Sequence, residues 1–341
     1  MSLKSFREEY TERIHSLLWR QWTRLGVAGP DAQESGCILD PEALLLFTFE
    51  VGRSEPRLYD EVLEWLSRHE RLVNIQRLRN LMAQDSAFNL SLAAAPARWL
   101  YTLNKTSKWR DLAKVPTTRP PVPFFTADIR RKKSLASSAD PLYMKCGWFR
   151  PPIRLRGLSS PMLVQGPPAL ILRLRSLFGL NARAEVVAYL LAKQSGHPTE
   201  MARELGYSQP SLFQLCREMA GSDLLFVQSR GREKRYRLDR DRWDAFLGFS
   251  DGERPSWGHW PTTFRVLILV WRVLQDETLA GASDYMAASR TRLLYESLAP
   301  LADSAGLDLT MERHRSSTGS RWLDAFREDL LGTLDRDPRF M

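Results

Sequence analysis

The chain has 341 residues, 43% of them hydrophobic and 26% charged, with a formal net charge of +9. This composition supports two or three packed domains and excludes a disordered or fibrous protein, and the surplus of positive charge favours an anionic partner. Three cysteines, Cys37, Cys146 and Cys216, lie too far apart for a disulfide framework or a zinc spacing, so a reducing cytoplasm is the expected location. The charged N-terminus has no apolar signal core, and no run of about 18 uncharged apolar residues exists to cross a membrane.

Residues 5–25 carry Phe6, Tyr10, Ile14, Leu17, Leu18 and Leu25 near one stripe, with Trp22 beside it, the pattern of an amphipathic helix. Such a stripe docks on its own domain or on a second copy of the chain, and the second use would make a homodimer. Asp40-Pro41 supplies an N-cap and a first-turn proline for a helix through PEALLLFTFEVG. Further helices are expected at 57–69 (Leu58, Val62, Leu63, Trp65, Leu66), at 74–82 (Ile75, Leu78, Leu81) and at 94–113 (Trp99, Leu100, Leu103, Trp109). Residues 1–113 are therefore predicted to be a helical N-terminal domain.

Half of the 20 prolines fall between Pro116 and Pro168, which excludes a long helix or a central strand there. Residues 114–168 are predicted to be a Pro-rich basic linker with a short strand at 143–149. Between Lys114 and Ser160 ten basic residues, including the run Arg130, Arg131, Lys132 and Lys133, face only Asp128 and Asp140. Such a run is a solvated loop or an arm laid along phosphates.

Residues 169–245 read as one unit: a lead-in helix at 169–178, a helix at 182–194, then helix, tight turn, helix and β-hairpin across 198–239. Thr199 is placed to cap the helix bearing Met201, Ala202 and Leu205, and Gly206 to end it in a left-handed conformation. Ser208 caps the next helix and Pro210 falls in its first turn. Leu212, Cys216 and Met219, at i, i+4 and i+7, form its core stripe. Gln209, Ser211, Gln214 and Arg217 then face outward, with Phe213 among them or at the boundary. Their amide, hydroxyl and guanidinium groups match donors and acceptors on base edges. Leu225 to Val227 begin a strand and Tyr236 and Leu238 belong to its return. The hairpin between them carries Arg230, Arg232, Lys234 and Arg235, suited to phosphates or a minor groove.

The runs TEMARELG, SQPSLFQLCREM, GSDLLFV and GREKRYRL resemble the positioning helix, recognition helix, wing approach and wing of MarR- and ArsR-type bacterial transcription regulators. The resemblance spans residues 181–243 and implies a winged helix-turn-helix bound to double-stranded DNA. Some metal-sensing relatives carry paired cysteines on the recognition helix. Here Cys216 stands alone, followed by Arg217 and Glu218, so it is expected in the core rather than on a metal. Some winged helices bind protein instead. The alternative expectation is thus an interaction module, the non-catalytic partner in a toxin or defence complex, with Phe213 and Gln214 buried against protein.

Beyond residue 259 the segment TTFRVLILVWRVL, residues 283–301 and residues 322–334 predict a C-terminal helical bundle over 259–337. The basic, hydroxyl-rich loop at 311–321 lies within it. His15, His69, His197, His259 and His314 form no metal-binding spacing, and no phosphate-cradling glycine loop or nucleophile elbow occurs. No enzyme, metal or cofactor is expected. The prediction is a mainly α fold, with a central winged helix-turn-helix and a small β-hairpin wing flanked by N- and C-terminal helical regions.

Overall fold

A computed structural model of the chain describes residues 3–30, 35–84, 88–115, 120–126, 138–160, 165–231, 233–249, 254–279, 281–309 and 316–341. Arg130, Arg131, Lys132, Lys133, Arg232, His314 and the side chain of Arg230 lie outside the described residues. Helix α1 (Leu3–Thr23) is followed by β1 (Cys37–Ile38), α2 (Pro41–Val51), α3 (Pro56–His69), α4 (Ile75–Gln84), α5 (Leu90–Asn104) and the short α6 (Arg110–Ala113). The Pro-rich segment contributes β2 (Val122–Pro123), α7 (Pro141–Met144) and β3 (Trp148–Phe149). Then come α8 (Leu170–Phe178), α9 (Ala182–Lys193), α10 (Pro198–Leu205), α11 (Gln209–Gly221), β4 (Phe226–Arg230), β5 (Glu233–Arg237) and α12 (Arg240–Leu247). The chain continues through β6 (Ser256–Trp257), α13 (Trp260–Leu274), α14 (Asp284–Ala305) and α15 (Gly319–Arg336). The fold is mainly helical with one short antiparallel hairpin in a winged-helix-like arrangement. Among the described residues, no helix is long and apolar enough to cross a membrane.

The stripe of α1 is spent inside the chain. Phe6, Tyr10, Ile14, Leu17, Leu18, Trp22 and Leu25 are all buried. The Tyr10 hydroxyl donates to the Leu267 carbonyl at 2.8 Å, Phe6 meets Phe326 edge-on at 6.0 Å, and Trp22 meets Trp65 at 5.2 Å. The helix docks on its own chain, and the surface that suggested a homodimer is gone.

The N- and C-terminal helices, read from the sequence as separate regions, share one hydrophobic core. The reason lies in α2, whose residues PEALLLFTFEV are apolar nearly all round. A helix of that kind must be covered on every side. Asp40 caps it as expected, accepting from the Ala43 amide at 3.0 Å, and α13 covers its far face, with Phe47 stacked on Phe264 at 4.6 Å.

The Pro-rich segment is a packed strap rather than a free linker. Phe124, Phe125, Tyr143, Cys146 and Phe149 are buried. Among its described residues strand pairing runs through Trp148–Phe149, parallel to β2, while Tyr143 sits in α7. Two of its predicted free cations are paired: Arg150 lies 2.7 Å from Asp60, between the rings of Phe125 and Tyr143, and Arg156 lies 2.9 Å from Glu61.

The winged unit has its own core, built on Leu174, Val187, Leu190, Met201, Leu205, Leu212, Cys216 and Tyr236. It is an insertion into the helical body. The two points where the chain leaves and returns are neighbours, because the Leu39 amide donates to the Pro168 carbonyl at 3.2 Å and β1 pairs in parallel with β6.

A candidate nucleic-acid interface

Helix α10 starts with a capping box, but Thr199 is not its cap. His197 is: its Nδ1 accepts from the Thr199 amide at 3.2 Å, Pro198 takes the first helical position, and the Glu200 carboxylate accepts from the His197 amide at 3.2 Å. Thr199 has a different partner, accepting at Oγ1 from Gln209 Nε2 at 2.9 Å, which links the two helices of the motif. Gly206 closes α10 at φ 73°, and a Cβ there would approach Leu81 to 3.2 Å. Only glycine meets both demands, so the turn sits directly on α4.

Helix α11 begins at Ser208, whose Oγ accepts from the Ser211 amide at 3.3 Å, and it buries Leu212, Cys216 and Met219. Leu215, outside the predicted stripe, is buried as well. Gln209, Ser211, Phe213, Gln214 and Arg217 are all exposed. The Ser211 hydroxyl is 2.7 Å from that of Ser208. Gln214 Nε2 donates to Glu218 at 3.1 Å, and Glu218 accepts from Arg183 of α9 at 3.0 Å. Phe213 places a 43% exposed ring among these polar groups.

The wing pairs Arg230 with Glu233 across the hairpin, and Gly231 follows Arg230 at φ 63°. Gly196, between α9 and α10, adds a bridge to Tyr236 on the other edge of β5. Lys234 is exposed. Arg235 is not a free cation. It bonds Glu200 at 2.8 and 3.0 Å and Glu233 at 3.0 Å, which ties the wing to the capping box. Those bonds raise its pKa further, and the bond to Arg235 holds the Glu200 carboxyl below its ordinary value. Arg237 is exposed at the wing root, its guanidinium 5.8 Å from the Phe226 ring centroid.

Behind this surface lies a cluster that the sequence did not reveal. Arg77 of α4 bonds Asp40 at 2.5 and 2.6 Å and Glu42 at 2.8 Å, and donates through Nε to the Leu205 carbonyl at the end of α10. Arg175 of α8 bonds Glu42 at 2.6 and 2.8 Å and Glu185 of α9 through Nε at 2.9 Å, and reaches the Leu72 carbonyl at 2.7 Å. All five charged side chains are buried. Burial opposes the charge on Asp40, but attraction from Arg77 outweighs it and holds the carboxyl below its usual range. The helix-turn-helix is thus bolted to the helical body through ions rather than through apolar surface alone.

The three cysteines are free and buried. Burial pushes the Cys37 thiol up to about 11 and that of Cys216 to about 12. Reaction of the native protein with a thiol reagent at pH 8 is expected to be slower than that of free cysteine by roughly two orders of magnitude, with urea restoring the ordinary rate. Fast native labelling of Cys216 would contradict its place in the core. Among the described residues, no group of three or more His, Cys, Asp or Glu side chains is gathered to hold a metal. No family model, curated protein or solved structure matches the chain.

Proposed function

We propose that the protein binds double-stranded DNA in a sequence-specific way through α11 and the wing, as a bacterial transcription regulator of the MarR or ArsR type does. One observation carries this reading. The apolar stripe of α11 is buried, while Gln209, Ser211, Gln214 and Arg217 stand exposed beside a wing bearing Lys234 and Arg237. The arrangement offers a polar helix for a major groove and cations for phosphates. The homodimer expected from α1 draws no support from that stripe, which is internal.

A second reading rests on Phe213, Phe226 and Val227, each 43–46% exposed on α11 and the wing. In a protein-interaction module these would be the buried anchors. Selection of bound fragments from genomic DNA separates the two. DNA binding through this face should enrich a shared motif, with affinity falling steeply as salt rises. Retention that is the same for every sequence, or absent at low salt, sinks the first reading.

A further inference from the structure

Phe213 is the fifth residue of α11, in the half of a recognition helix that reaches base edges. Leu212, directly before it, is wholly buried, and consecutive residues on a helix point about 100° apart. The ring is thereby turned out of the core, and Phe213 is 43% exposed at the flank of the outward face. The ring pairs of the winged unit join Phe178 to Trp243, Trp243 to Phe246 and Tyr189 to Trp257, and Arg237 lies over Phe226. Among the described residues Phe213 belongs to no such pair.

Its neighbours make an apolar corner. Pro210, one turn before it, and Arg217, one turn after it, are both exposed and lie at i−3 and i+4 on the same side of the helix. Arg217 adds its aliphatic stem to that side while its charged head stays in water. The amides that could cover the ring are engaged elsewhere: Gln209 Nε2 donates to Thr199 at 2.9 Å and Gln214 Nε2 to Glu218 at 3.1 Å. Backbone donors are missing too. Pro210 has no N–H, and the Ser211 amide is bonded to Ser208 Oγ at 3.3 Å. The corner suits an apolar group better than a phosphate or a hydrogen-bonding base edge.

Resting on the reading of α11 as a base-reading helix, we infer that Phe213 recognises the 5-methyl group of a pyrimidine in the major groove. That methyl is the apolar group among the base edges exposed there; thymine carries it, and cytosine does so when methylated. The ring, Pro210 and the Arg217 stem enclose it from one side. In an A·T pair the adenine presents N7 and N6, the partners of an amide such as that of Gln214, and the thymine presents its methyl. Gln214 and Phe213, adjacent in sequence, thus suit the two bases of one A·T pair or of neighbouring pairs. The specificity of α11 is then partly apolar, and it discriminates thymine from uracil.

The test is a uracil scan. Each thymine of the duplex selected from genomic DNA is replaced in turn by deoxyuridine, which removes the methyl group and keeps the pairing. Affinities of the full-length wild type and of Phe213→Ala are compared by fluorescence anisotropy. At one thymine position the wild type should lose about fourfold, the worth of one buried methyl group. Phe213→Ala should bind thymine and uracil there equally, and Phe213→Leu should keep part of the discrimination. Because the ring is exposed, both variants should melt with the wild type. A second arm replaces each cytosine by 5-methylcytosine. A gain of similar size there, abolished by Phe213→Ala and without any uracil loss, assigns the methyl to methylcytosine. Specific binding with no position sensitive to either replacement overturns the inference and leaves the DNA reading standing. Equal losses in wild type and Phe213→Ala also overturn it, since the methyl then acts through DNA shape or another side chain. A chain that prefers no duplex sequence overturns both.

Discussion

Replacing Arg175 with methionine will cost about 3–5 kcal/mol of stability, measured by urea unfolding. The side chain is the hub between Glu42 and Glu185. Without it Glu185, whose second oxygen already has no partner, is left buried and unpaired. The double variant Arg175→Met, Glu185→Leu should recover most of the loss, because Glu42 keeps its 2.8 Å bond to Arg77. A single-variant cost below about 1 kcal/mol would mean that the cluster is solvated in solution. Acid should reproduce part of the effect. The Asp40 pKa is depressed in the folded chain, so its contribution is present above its unfolded value, about 3.9, and is lost as pH falls through the folded one.

Gln214→Ala and Lys234→Ala will fail in different ways if α11 reads bases and the wing holds phosphates. On that reading the Gln214 amide would pair bidentately with an adenine edge, and its loss should cost about 1–3 kcal/mol on the selected duplex and little on scrambled DNA. Among the described residues the amide is held by an exposed bond to Glu218 at 3.1 Å, a restraint that a base edge can replace. Lys234 is exposed on the hairpin and offers charge alone. Its removal should weaken both duplexes and lower the salt slope by roughly one. Isotherms at several salt concentrations distinguish the two. Equal weakening of both duplexes by Gln214→Ala would remove α11 from base reading.

The winged unit was legible because its signals are local. Ser208 with Pro210 fixes one helix start and Gly206 a helix end, and each depends on a few neighbouring residues. His197 escaped notice because an imidazole cap lacks the short hydroxyl or carboxylate side chain that marks most N-caps. The stripe of α1 was legible too, but periodicity gives a buried face and not what buries it. Asp40, Glu42, Arg77, Arg175 and Glu185 look like ordinary helix-surface charges, and only the docking of α2, α4, α8 and α9 brings them out of water. Arg235 was read as a free cation because Glu200, one of its two carboxylate partners beside Glu233, lies 35 residues away and reaches it only through the fold.

The insertion of the winged unit into a shared core also sets an order of assembly. Helices α1 and α2 emerge from the ribosome before the surfaces that cover them, α13 and α15, which come roughly 200 to 300 residues later, a wait on the order of 10 to 60 s at ordinary synthesis rates. The winged unit, with a core of its own, is complete before then. The middle of the chain can therefore fold first and the outer helices close around its two roots last. Until they do, the buried stripe of α1 and the nearly all-apolar surface of α2 are exposed to the cell, which makes the nascent N-terminal third the part of this protein most in need of a chaperone.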